Sequence, residues 1–214
     1  VDPRDSLDHW AAYMASDGGL EGLSPGFPFL RLRGPLALIG LSTAVATPPT
    51  RATGKLGKAQ LGALDALLAR LAASGRCRVV LLHHSPLARI SRPRKRLVDA
   101  AAFCAVIARH GADLVLHGHE HVSLTGRIAG RQGDVPEFGA ACASMLDHRP
   151  GRRAQYRIHG IERASGGFRL HVETRRFDAA SGRFRRVECE RVEASRVAQP
   201  FLTSARQSGP EPMP

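Results

Sequence analysis

Two short apolar runs that end in histidine clusters constrain this chain more than any other feature. Val79-Val80-Leu81-Leu82 leads into His83-His84-Ser85-Pro86, and Leu114-Val115-Leu116 leads into His117-Gly118-His119-Glu120-His121. Between them, residues 97–110 repeat apolar side chains at helical spacing and stop at Gly111. That order reads as strand, helix, strand, and such crossovers are right-handed with parallel strands. Ligands in open α/β sheets bind beyond the carboxyl ends of the strands, where both clusters fall. If the two strands are neighbours, about 4.8 Å apart, the imidazoles can converge on one metal centre.

The 214 residues suffice for one domain with a sizeable core. We read residues 1–193 as that domain and the polar, Pro-rich residues 194–214 as a disordered tail. No apolar run approaches the roughly eighteen residues a membrane span needs. Cys77, Cys104, Cys142 and Cys189 are far apart, without metal-type pairing. They read as free, mostly buried thiols in a reducing, cytoplasmic setting. The net charge of +12 invites a nucleic-acid partner. Three lysines, no asparagine and abundant Ala, Gly and Arg fit a GC-rich coding bias equally well. The arginines are spread along the C-terminal third instead of forming a stripe, so nucleic acid stays the secondary reading.

Along the chain, the spacing predicts helices over residues 6–15, 57–74 and 98–110. In the second, Leu61, Leu64, Leu68 and Leu71 share a stripe, with Gln60 and Asp65 off it. In the third, Ala102, Phe103, Val106 and Ile107 face a sheet. Strands are expected at 29–33 and 36–43 around Gly34-Pro35, at 78–83 and at 113–117. The run at 78–83 lacks alternation, as in a strand buried on both faces. After His121 the pattern changes to strands and turns: 122–129, 135–143, 156–163, 168–177 and 184–192. The fold class is therefore α/β with an antiparallel C-terminal half.

His119 and His121 are two apart, so in extended backbone their rings point the same way, each able to meet a metal at about 2.0–2.1 Å. Gly118 permits a sharp turn before them. His83 or His84 would come from the adjacent strand. The two alternate faces, so one would ligate and the other touch substrate or cap the strand. His117 falls one position early and is read as structural, and His110 as a helix C-terminal residue. His9 and His148 have no partner pattern, and His159 and His171 read as surface or cross-strand residues. Asp99 is expected at the start of its helix, and Glu120 is expected to point away between its two histidines. In the basic loop Arg89-Ile90-Ser91-Arg92-Pro93-Arg94-Lys95-Arg96, Arg92 and Arg94 are candidate phosphate contacts.

His83-His84-Ser85-Pro86 followed by Gly111-Ala112-Asp113-Leu114-Val115-Leu116-His117-Gly118-His119-Glu120-His121 resembles the second half of the calcineurin-like metallophosphoesterases, which end on a Gly-His-x-His motif. Leu38-Ile39-Gly40-Leu41-Ser42-Thr43 and Gly54-x-Leu56 before Gln60-Leu61 extend the likeness over roughly residues 29–144. The resemblance implies a sandwich of two mixed sheets. It also implies a binuclear site of Mn, Fe or Zn that activates water for in-line attack on phosphorus, and hence a phosphate-ester substrate. Carried over residue by residue, His83 (or His84) and His119 would serve one metal and His121 the other.

The family's earlier motifs, Asp-x-His, Gly-Asp and Asn-His, have no counterpart here in the right order. Gly133-Asp134 follows Gly-His-x-His instead of preceding it, and the chain has no asparagine. No catalytic histidine of the Asn-His kind is identifiable. Two divalent ions about 3.5–4 Å apart need an anionic bridge, which three neutral imidazoles do not supply. The expectation is at most one metal in this chain alone. It is a C-terminal portion of the fold with weak or no turnover, an exposed apolar edge, and a missing N-terminal half as partner.

Overall fold

The computed structural model describes residues 9, 11–17, 26–87, 92–131, 133–145 and 153–195. A single turn of helix, α1 (Ala11–Met14), stands where the helix over 6–15 was expected; residues 6–8 and 10 of that expectation lie outside the described residues. The hairpin β1 (Phe29–Arg33) and β2 (Leu36–Gly40) is as the sequence suggested, though β2 ends three residues earlier. Then follow α2 (Lys58–Leu71), β3 (Cys77–Leu81), a 3₁₀ turn at Pro93–Lys95, α3 (Ala100–His110) and β4 (Leu114–His117). The chain continues through β5 (Leu124–Ile128), β6 (Val135–Gly139), β7 (Gln155–Ala164), β8 (Gly167–Asp178) and β9 (Arg183–Ser195).

The strands form a mixed six-stranded sheet, in the order β1-β2-β3-β4-β6-β5, and a three-stranded sheet, β7-β8-β9. β3 and β4 are parallel neighbours, as the strand–helix–strand reading requires. β2 also runs parallel to β3, and β6 parallel to β4. The purely antiparallel part therefore starts at β7, later than expected, because β5 folds back on β6 as a hairpin and β6 then extends the parallel sheet.

Three layers result. Leu64, Leu67, Leu68 and Leu71 of α2 and Phe103, Val106 and Ile107 of α3 pack on one face of the large sheet, over Ile39, Val80 and Val115. Cys77, Val79, Leu114 and Phe138 face the other way, onto Phe168, Leu170 and Val172 of β8. Successive residues of β3 thus enter two different cores, which is why its apolar residues run without alternation. The buried α2 stripe uses Leu67 in place of the expected Leu61, which is only half-buried. Both faces of the central strands are covered. The exposed large apolar residues among those described (Tyr13, Val45, Val98, Ile158, Val187) are scattered, so the expected bare apolar edge is corrected.

Two further expectations are corrected. Ala194 and Ser195 belong to β9, and Ala194 is buried across from Phe168, so the supposed tail cannot begin at 194. Residues 196–214 lie outside the described residues. The thiols are not mostly buried: Cys77 is, Cys104 and Cys142 are half-buried, and Cys189 is exposed on β9.

Candidate metal centre

The ladder between β3 and β4 continues past the strand ends and sets the site. Leu82 N–H donates to Leu116 O at 3.1 Å, and Gly118 N–H donates to His83 O at 3.0 Å. The first histidine cluster is thereby tied to the start of the second. The chain then turns sharply. Glu120 N–H donates to Gly118 O at 2.9 Å, closing a three-residue turn centred on His119. His119 has φ 69° and His121 φ 55°, the two non-glycine residues with positive φ among those described. Left-handed backbone costs about 1–3 kcal/mol per residue and persists where the surroundings over-determine it. Histidine tolerates it better than most residues.

The turn brings His119 back onto the β3 cluster. His119 Nδ1 lies 3.1 Å from His83 Nε2, with ring centroids 5.0 Å apart. Two nitrogens that share one tetrahedral ion at 2.0–2.1 Å sit roughly 3.3 Å apart, so this pair fits two ligand positions of a divalent ion. His119 Nε2 is buried without a hydrogen-bond partner. His121 is exposed and within electrostatic reach of His83. Among the described residues, no three His, Cys, Asp or Glu side chains already meet in metal-holding geometry.

His84 sits at the centre of the cluster, its ring centroid 4.1 Å from that of His119, but both its nitrogens are engaged. Thr43 Oγ1 lies 2.7 Å from Nδ1, and Nε2 is 3.0 Å from Ala52 O. A carbonyl can only accept, so Nε2 carries the proton and the Thr43 hydroxyl donates to Nδ1. His84 thus ties the loop after β2 to the site. Gly54 makes room for it, since a Cβ there would strike the imidazole.

Electrostatics keep these rings neutral. Burial pulls His119 down to about 4, helped by His84 and His83 and opposed by Glu120. Burial also lowers His83, with His121 and His117 adding to the effect, and lowers His84. Neutral imidazole is the form that ligates metals. The negative charge of Glu120 is felt by both His84 and His119 and opposes the lowering that burial causes.

Several residues hold roles the sequence did not reveal. His117, read as structural, is fully buried, and its Nε2 contacts the fully buried Glu137 Oε1 of β6. Asp99 makes no side-chain cap for α3 but accepts from Leu56 and Gly57 N–H at 2.8–3.1 Å, anchoring the entry to α2. Gln60 lies off the buried stripe because its amide grips Ser42 at both N–H and C=O. Arg92 and Arg94 are exposed, and the cation of that loop felt by His119 is Lys95. The loop runs beside residues 52–54 through Ala52 N–H to Arg94 O and Gly54 N–H to Arg96 O. None of these partners shares a sequence period with the histidines, so periodicity carried no signal for them. His159, expected at the surface or in a cross-strand pair, instead turns inward to the ring of Phe138, and burial pushes it down to about 4.

The family model described as calcineurin-like phosphoesterase matches residues 29–123. The chain is similar to the solved structure of a dimetal phosphatase from Danio rerio, with 16% identity over 66% of this chain and 40% of that one, at a TM-score of 0.46. It is also similar to a single mutant of Vps29 from Entamoeba histolytica, with 13% identity over 72% of this chain and 97% of that one, at a TM-score of 0.28. The chain thus spans 40% of the length of the dimetal phosphatase. No curated protein matches it.

Proposed function

We propose that the chain is a calcineurin-like phosphoesterase, the family whose model matches residues 29–123, and that it takes part in metal-dependent hydrolysis of phosphoric mono- or diesters. The observation that carries this reading is the 3.1 Å approach of His83 Nε2 and His119 Nδ1 at two adjacent parallel strand ends. These two nitrogens would hold one divalent ion (Mn, Fe or Zn), with His121 as a further ligand. A divalent ion there acts as a Lewis acid on a phosphoryl oxygen. His84, held by Thr43 and Ala52, orients the floor of the site and does not ligate. Arg92 and Arg94, on the same loop as the Lys95 whose charge His119 feels, are candidate contacts for the phosphate ester.

This chain alone turns over weakly or not at all. Three imidazoles bring no charge to offset two cations, and Glu120 is the carboxylate whose charge His119 feels. A second metal and the missing acid or base would come from the remainder of the fold, whether on a longer chain or a separate partner. Residues 1–195 act as the phosphoesterase portion, and four free thiols suit the cytoplasm.

The test is hydrolysis of bis-p-nitrophenyl phosphate with added Mn. We expect at most slow turnover, abolished in His119→Ala, together with binding of close to one Co or Zn per chain. Rapid turnover lost in His119→Ala would overturn the incompleteness. Absence of metal binding would overturn the whole reading in favour of an Arg-rich nucleic-acid-binding module. Binding of the module to nucleic acid would be steeply salt-dependent and indifferent to chelator. No specific observation favours it: Arg78, Arg109, Arg157, Arg169, Arg175 and Arg185 are each engaged with protein groups.

A further inference from the structure

Directly beneath the cluster lies a second polar pair that the proposed chemistry does not use. His117 ends β4 and Glu137 lies in β6, and the imidazole Nε2 and the carboxylate Oε1 are in direct contact, with both side chains fully buried. The other ring nitrogen, Nδ1, donates to Gly118 O at 3.1 Å, the same carbonyl that accepts from Glu120 N–H. The His117 carbonyl accepts from Ala140 N–H at 2.8 Å.

The surrounding sequence is shaped to admit this pair. In the sheet register His117 stands opposite Gly139 and Glu137 opposite Gly126. A Cβ at Gly139 would come within 2.6 Å of His117 Cε1, and one at Gly126 within 2.5 Å of Glu137 Oε2. Two glycines thus give up strand propensity and side-chain packing for a buried polar contact. Such a contact is weak as a source of stability, because desolvating both groups offsets their attraction. Apolar side chains at these positions would pack at least as well. The pair is better explained by where it holds the chain: one end is fixed in β6, and the other grips the carbonyl from which the left-handed turn at His119 departs.

We propose that His117 and Glu137 are positioning residues for the metal centre. Their contact pins the end of β4 and so holds residues 118–121 in the turn that sets His119 against His83. The consequence for metal binding rests on the function proposed above, while the consequence for the turn does not. The test compares the chain with Glu137→Gln and with the paired replacement His117→Leu, Glu137→Leu. Backbone couplings and shifts at His119 and His121, measured by NMR without metal, report whether φ stays positive. Co titration followed by visible absorption reports affinity, and thermal melting separates stability from position.

In folded variants that melt at or above the temperature of the parent, we expect the positive φ at His119 to be lost or averaged and the Co Kd to rise at least tenfold. Retention of both in either variant overturns the proposal. Failure of both variants to fold overturns it too, because the pair would then be a determinant of the fold. If the parent chain binds no Co, the metal reading fails separately, and the φ measurement alone decides the role of the pair.

Discussion

In β3 and β4 almost every residue is inside, and the polar chemistry is pushed to the strand ends; in β7–β9 the charges run the length of each strand. The first region lies between two layers, with Val79 and Leu114 in one core and Val80 and Val115 in the other. The second covers a core with one face and meets water with the other. β8 therefore alternates Phe168, Leu170 and Val172 inward with Arg169, His171 and Glu173 outward. The outward residues pair across strands, as Arg169 with Glu193 at 2.7 Å and His171 with Glu162 at 3.3 Å. The comparison shows where a histidine acquires chemistry. At an end of a doubly covered strand it is partly desolvated, kept neutral and crowded by other rings. On the water-facing side of the one-sided sheet, His171 instead pairs with the carboxylate of Glu162.

The most damaging change should fall in the first region. Arg78 and Asp113 are both buried, and Asp113 Oδ2 accepts from Arg78 N–H at 2.7 Å while facing Arg78 Nε at 3.6 Å. This contact joins the start of β3 to the residue before β4. Asp113→Ala should cost about 4 kcal/mol, since removing one partner of a buried ion pair strands the other. Urea denaturation monitored by circular dichroism checks it, and a loss below about 1 kcal/mol would put the burial contrast between the two regions in doubt.

A smaller effect should come from acid, and it engages both regions. His119 and His159 each titrate near 4 in the folded chain, against 6.5 for the free group. Below pH 6.5 the unfolded imidazoles take up protons that the folded ones refuse until about pH 4. Stability should therefore be complete above pH 6.5 and fall as pH drops through 6.5 toward 4. Denaturation midpoints at stepped pH measure this, and His119→Ala and His159→Ala should each flatten part of the slope. An unchanged slope in both variants would show that other groups cause the loss.

The smallest effect belongs to the exposed face of β7–β9. Arg169→Ala removes a solvent-exposed ion pair, and such pairs contribute little because water screens them and ordering two long side chains costs entropy. The melting temperature should be unchanged within error. A clear fall would mean that the charges on this sheet stabilise it instead of merely solvating it.

Much of the site was legible from residue order alone. Two apolar runs, a helical pattern between them and Gly111 after it implied parallel strands, and the observed adjacency of β3 and β4 places His83 and His119 at neighbouring ends. The structure added which nitrogens approach one another and gave both ring nitrogens of His84 partners, Thr43 Oγ1 and Ala52 O. The expected end of β9 fell short because Ala194 and Ser195 are small and only weakly strand-forming, while burial of Ala194 across from Phe168 extends the strand.

By itself the sequence determined most of the elements and their order along the chain, because hydrophobic period and glycine placement act locally on the chain. Only the tertiary structure decided that Thr43 and Ala52 O would claim His84, that Asp99 would anchor the entry to α2, and that Glu137 would meet His117. Each of these partners comes from a distant part of the chain with no period linking it to the site. A buried polar group takes whatever complementary atom the packed layers bring within reach, and that choice is made in space, after the strands have found their order.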